Sequence, residues 1–184
     1  MRTLGLGLAI GLWGLLGLAP TAAALEIYTY TGNTYDSVSG SYTTSMRITG
    51  SIQTPVPLGP NLILQDVSAG ILSYSFNDGL QTLAGGTPAA ASFLFSTDAA
   101  GVIVDWTVQL SGSPGAIVSN GPPVPGSDII DSGSGLGGFG RVTGTGSGAT
   151  AQGSWVHVFV PEPSTAGLLL LGLFGLARAG RQAH

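Results

Sequence analysis

The sequence predicts an all-β domain, an antiparallel β-sandwich or jelly-roll-like fold, on three observations. Apolar and polar residues alternate with a period of two through most of the middle of the chain. The alternating runs are separated by turns rich in Gly, Asn, Asp and Ser. No amphipathic helical period appears between Leu25 and Val160. A barrel-like closure of the same strands is the alternative.

The first segment is an address rather than part of the fold. Met1-Arg2 supplies a positive start, Leu4 to Leu18 is apolar or Gly throughout, and Pro20 breaks any helix before Ala22-Ala23-Ala24. Charge, apolar run and small-residue site in that order predict a secretory signal peptide over residues 1–24. Signal peptidase is expected to read Ala22 and Ala24 and to cut before Leu25. A retained membrane anchor is the alternative.

The elements of the β domain, residues 25–159, follow in order. Tyr28 and Tyr30 alternate with Ile27, Thr29 and Thr31. Met46, Ile48 and Ile52 alternate with Arg47, Thr49, Ser51 and Gln53. Leu72, Tyr74 and Phe76 alternate with serines and run into Asn77-Asp78-Gly79, residue types that adopt left-handed backbone angles at a hairpin corner. Phe93 and Phe95 precede a turn over residues 96–101. Val102, Val104, Trp106, Val108 and Leu110 then share the expected inner face of a longer strand. Between residues 111 and 153, 13 of 43 residues are Gly, and Gly121 to Gly126 contains three prolines. Such a stretch predicts long loops around short strands near Ile129-Ile130 and Arg141 to Thr143. A last run alternates Trp155, His157 and Phe159 with Val156, Val158 and Val160.

Composition narrows the function. Charged residues are 8% of the chain and lysine is absent. Between Leu25 and Pro163 all nine acidic residues stand against Arg47 and Arg141 alone, which argues against a nucleic-acid partner. With no cysteine, an exported fold has no disulfide, and thiol catalysis and thiolate metal sites are removed.

No catalytic constellation is evident, and neither an enzyme nor a cofactor is predicted. His157 is the one histidine of the β domain, and no Gly-x-Ser-x-Gly elbow accompanies it. Asp98 with Asp105, or Asp128 with Asp131, supply paired carboxylates for a carbohydrate-active enzyme, the rival reading. The first pair lies at a turn, where Asp commonly bonds its own backbone. The second lies in the Gly-rich segment and could bind calcium weakly, though hard-cation sites need a fuller set of oxygen ligands. Gly133-Ser134-Gly135-Leu136-Gly137-Gly138 fits G-x-G-x-x-G, but no helix follows and Gly density produces such matches by chance. Gly137 to Val142 begins like a calcium β-helix repeat, with Val142 where an Asp ligand is required. Tyr28, Tyr30, Trp106 and Trp155 could form a sugar-stacking platform, but aromatics on the apolar face of alternating strands are expected in the core.

The final segment, residues 160–184, has three parts. Pro161-Glu162-Pro163 ends the last strand, and Ser164 can cap a following helix. Ala166 to Ala177 is an apolar run of 12 residues, roughly 18 Å as a helix, against a hydrocarbon core of roughly 30 Å. Counting Ser164 to Gly180 and letting arginines snorkel brings it near a span. Arg178 and Arg181 then hold the tail on the cytoplasmic side.

This order resembles the PEP-CTERM sorting domain of Gram-negative bacteria over Val160 to His184. The resemblance implies a transient membrane tether processed by an exosortase, a membrane protease, with Pro161, Glu162 and Pro163 as recognition residues and Arg178 and Arg181 as the retained basic tail. It further implies delivery to the cell surface or matrix, in an envelope, biofilm or exopolysaccharide setting. A structural or adhesive role there is the expected function.

Overall fold

The computed structural model describes residues 25–85, 91–121, 129–143 and 153–160, together with Leu173. The predicted signal peptide and the predicted C-terminal helix lie outside these residues, Leu173 apart. Residues Ala24–Val160 form one compact unit.

Among the described residues the strands are β1 Leu25–Thr34, β2 Ser37–Ser39, β3 Arg47–Thr54, β4 Gln65–Asp66, β5 Ser73–Asn77, β6 Thr82–Gly85, β7 Ala91–Thr97, β8 Ile103–Ser111, β9 Ala116–Asn120, β10 Ile129–Gly135, β11 Gly138–Thr143 and β12 Ser154–Val160. A 3₁₀ turn spans Ser68–Gly70. The strands form a five-stranded sheet in the order β12-β1-β3-β5-β6 and a seven-stranded sheet in the order β2-β11-β10-β9-β8-β7-β4. Every pairing is antiparallel. Among the described residues no strand pairing joins the two sheets. They meet instead through an aromatic core, a sandwich-like arrangement.

That core is what the alternation encodes. Tyr28 and Tyr30 on β1, Ile48 and Ile52 on β3, and Phe76 on β5 are buried from one sheet; Phe93, Phe95, Trp106, Val108 and Leu110 are buried from the other. Tyr30 meets Trp106 edge to face with centroids 5.6 Å apart, and Phe95 meets Trp155 at 5.2 Å, both across the inter-sheet gap. Edge-to-face contacts of this kind add to the burial of the rings themselves.

Two expectations are corrected. On β8 the inner face does not begin at Val102 and Val104, which are 54% and 48% exposed; Ile103, 8% exposed, turns inward instead. The register steps from Ser96 opposite Asp105 to Thr97 opposite Ile103, so Val104 is an extra, bulged residue. A bulge inverts the side-chain phase on its far side, which period-two reading alone cannot foresee.

The Gly-rich stretch is also more regular than expected. β9, β10 and β11 form a continuous ladder through it. Leu136 and Gly137, at φ 53° and 78°, make the two-residue turn between β10 and β11, the geometry that suits twisted hairpins. Its glycines admit neighbours at close range: a Cβ at Gly140 would overlap the Tyr35 ring, and one at Gly133 would overlap Asp78.

The same close packing recurs on β3, where a Cβ at Gly50 would overlap the Phe76 ring. Gly50→Ala is expected to cost about 1–3 kcal/mol by overpacking, read as a lower urea midpoint. A midpoint unchanged from wild type would show that Phe76 moves aside freely.

Candidate functional site

β12 is rich in Trp, Val and Phe, residues that favour strands, and among the described residues it pairs along β1 alone. Its register sets Tyr30 opposite Trp155, Tyr28 opposite His157 and Leu25 opposite Val160. Leu25, where signal cleavage is expected, therefore neighbours the residue that precedes Pro161. Val156, Val158, Phe159 and Val160 are exposed on this edge strand. Ala22, Ala24, Pro161, Glu162, Pro163, Arg178 and Arg181 lie outside the described residues.

Around β12 is a small acid–imidazole cluster that sequence reading missed. His157 Nε2 shares a 2.6 Å hydrogen bond with Oε2 of the buried Glu26. The imidazole stacks on Tyr28 at 4.4 Å with the planes 9° apart. Tyr28 Oη in turn accepts the Leu58 N–H at 2.8 Å, and burial raises the phenol pKa above its ordinary value. The signal was available: Glu26 and Tyr28 share one face of an alternating strand, and His157 lies on another. Their pairing depends on a contact 131 residues apart. A cavity of about 140 Å³ adjoins them, lined by Tyr28, Ala100, Gly101, Val102, Ile103, Trp155 and His157. That lining contains no serine, threonine or cysteine to act as a nucleophile beside the imidazole. Among the described residues no group of three or more His, Cys, Asp or Glu is placed to hold a metal.

The aspartates expected as candidates are differently employed. Asp98 Oδ1 accepts the N–H groups of Ala100 and Val102 at 2.8 and 2.9 Å, the local turn role. Asp105 stands opposite Ser96 on the hairpin, and Asp128 lies outside the described residues. Asp131 is fully buried, with Tyr30 Oη 2.9 Å from each of its oxygens. Burial pushes its pKa up to about 7, against hydrogen bonds from Ser119 and Tyr30 that pull it down. Tyr30 is raised too, first by burial and then by the Asp131 charge.

A second buried carboxyl, Asp78, sits in the β5–β6 turn. Oδ1 accepts Leu80 N–H and Gln81 N–H at 3.0 and 2.9 Å; Oδ2 accepts Tyr42 O–H and Gln81 Nε2–H at 2.7 and 2.9 Å. The Asp78 carbonyl accepts the Tyr35 hydroxyl at 3.0 Å. Tyrosines rather than phenylalanines at 30, 35 and 42 were the available signal, since a buried phenol needs a partner. Tyr28, Tyr30 and Trp106 are buried, so these three are core and not a solvent-facing stacking platform. Trp155 packs against Tyr30, Phe95 and Trp106.

A disulfide-free β domain whose last strand runs directly into Pro161-Glu162-Pro163, an apolar run and two arginines defines a protein addressed through its C-terminal side. The family model of the PEP-CTERM protein-sorting motif matches residues 159–182. The chain carries that motif, an exosortase-type export and sorting signal, and the match takes in the last two residues of β12. No curated protein and no solved structure is significantly similar to the chain. Among the described residues no helix is long and apolar enough to cross a membrane.

Proposed function

We propose that this is a surface or matrix protein whose β domain has a structural or adhesive role, in an envelope or exopolysaccharide setting. The carrying observation is the sorting motif over residues 159–182, directly behind a packed β domain. In this reading signal peptidase cuts after Ala24. The segment from Ser164 to Gly180 tethers the chain, Arg178 and Arg181 hold the tail inside, and an exosortase reads Pro161, Glu162 and Pro163. The rival reading, a carbohydrate-active enzyme working through aspartates, draws little support from Asp98 and Asp131, which are committed to turn and core hydrogen bonds.

Intact mass of the protein released by its native host tests the sorting reading. The wild-type species is expected to start at Leu25 and end near Pro163, while Pro161→Ala/Glu162→Ala stays in the membrane fraction. A released wild-type chain that still carries His184 would sink it.

A further inference from the structure

The exposed large apolar side chains are not scattered. Val160 and Phe159 stand at the end of β12 opposite Leu25 and Glu26, and Glu26 also pairs with Thr54, the end of β3. The loop that follows carries Val56 and Ile63, 64% and 87% exposed, and Leu64. Hydrogen bonds tie this loop to the same end: Leu58 N–H reaches Tyr28 Oη, and Asn61 N–H reaches the Asp98 carbonyl in the β7–β8 turn that carries Val102. Leu136 stands apart, in the β10–β11 turn, where Ser134 meets Gln81 beside the β5–β6 turn.

The presentation is built rather than loose. Leu64 sits at φ 40°, a left-handed angle that a bulky side chain rarely adopts. Its N–H is held by Ser96 Oγ at 2.9 Å, while Leu62 exchanges hydrogen bonds with Thr97. The backbone is thus pinned in an unfavourable conformation that leaves Ile63 and Leu64 in water. Strain of this kind persists only where the surrounding structure over-determines it, and it clusters at functional sites.

We propose that this end is a membrane-contact surface, with Val56, Ile63, Leu64, Val102, Phe159 and Val160 entering the headgroup–acyl boundary of a bilayer. Lipid is the occupant because of where the chain continues. Residues 161–184 leave from Val160, within this apolar rim, and their sequence contains the apolar run Ala166 to Ala177. The proposal rests on the sorting reading, because a tether there is what brings a bilayer to this end. Side chains so placed gain apolar burial without relying on charge, so contact should persist at high salt.

The chain has no cysteine, so single labels can be placed cleanly. Full-length Ile63→Cys, Val102→Cys and Leu136→Cys, each carrying an environment-sensitive fluorophore, are reconstituted into vesicles of phosphatidylethanolamine and phosphatidylglycerol with and without lipid-borne quencher. The labels at 63 and 102 should shift to the blue and lose most of their emission to the quencher, with 136 unaffected. Vesicle-bound chain with unquenched labels at 63 and 102 would overturn the proposal and leave sorting intact, since the intact-mass experiment reads sorting separately. Failure of the chain to float with vesicles would overturn both the contact surface and the tether. A blue shift that appears without vesicles and grows with protein concentration would overturn lipid in favour of a second copy.

Discussion

Asp78→Ala is expected to lower stability by about 3–5 kcal/mol, since it strands several buried donors at about 1–3 kcal/mol each. The Asp78 side chain is fully buried, and four donors converge on it. Alanine takes the acceptor from the Tyr42 hydroxyl, one N–H of the Gln81 amide and the Leu80 and Gln81 backbone N–H groups, and a stranded buried donor costs about 1–3 kcal/mol. Gln81 also ties this turn to the other sheet through the Ser134 carbonyl at 2.9 Å, so the damage extends beyond one hairpin. Asp78→Asn separates the roles. Its oxygen can still accept the two backbone N–H groups, and its amide can donate to Tyr42, but it confronts Gln81 with a second donor. A loss between wild type and alanine is therefore expected. Urea midpoints of the three proteins check this; an alanine variant within about 1 kcal/mol of wild type would show that water reaches the site.

Asp131 produces the second large effect, and it depends on pH. Burial raises its folded pKa to about 7, whereas in the unfolded chain an aspartate titrates near about 3.9. Between about pH 4 and about pH 7 the unfolded chain releases this proton while the folded one keeps it. Stability is consequently greatest below that window, falls as pH rises through it, and levels off above about pH 7. At roughly 1.4 kcal/mol per unit, the decline reaches about 4 kcal/mol. Asp131→Asn should remove the slope and raise stability at about pH 8 by a comparable amount, since its amide can still engage Tyr30 and Ser119. The measurement is the urea midpoint at about pH 5 and about pH 8 for both proteins. A wild-type midpoint as high at the upper pH as at the lower would contradict this account of Asp131.

Much of the fold was legible because the relevant physics is local. Alternation marked Tyr28, Tyr30, Ile48, Ile52 and Phe76 as inward residues, and they are buried. Asn77-Asp78-Gly79 announced a turn, and Gly79 does take φ 100°. Asp98 was readable as a turn residue for the same reason: its partners lie two and four positions away. Legibility failed where a distant segment decides. The bulge at Val104 arises from pairing with β7, and the glycines of β10 and β11 become strand residues because Tyr35 and Asp78 press against them. For the Glu26–His157 pair and the two buried carboxyls the residue types were readable, but which group meets which was not, on the same ground.

The sequence by itself determined an all-β domain without disulfides, its main turns, and the linear sorting motif behind the last strand, because period-two alternation, turn chemistry and an ordered motif are properties of neighbouring residues. Only the tertiary structure decided which carboxyls lose their water, which face of β8 turns inward, and that Leu25 and Val160 meet at an apolar end. Those outcomes depend on what covers a side chain, and here the covering group comes from distant segments, as with Glu26 and His157, 131 residues apart along the chain.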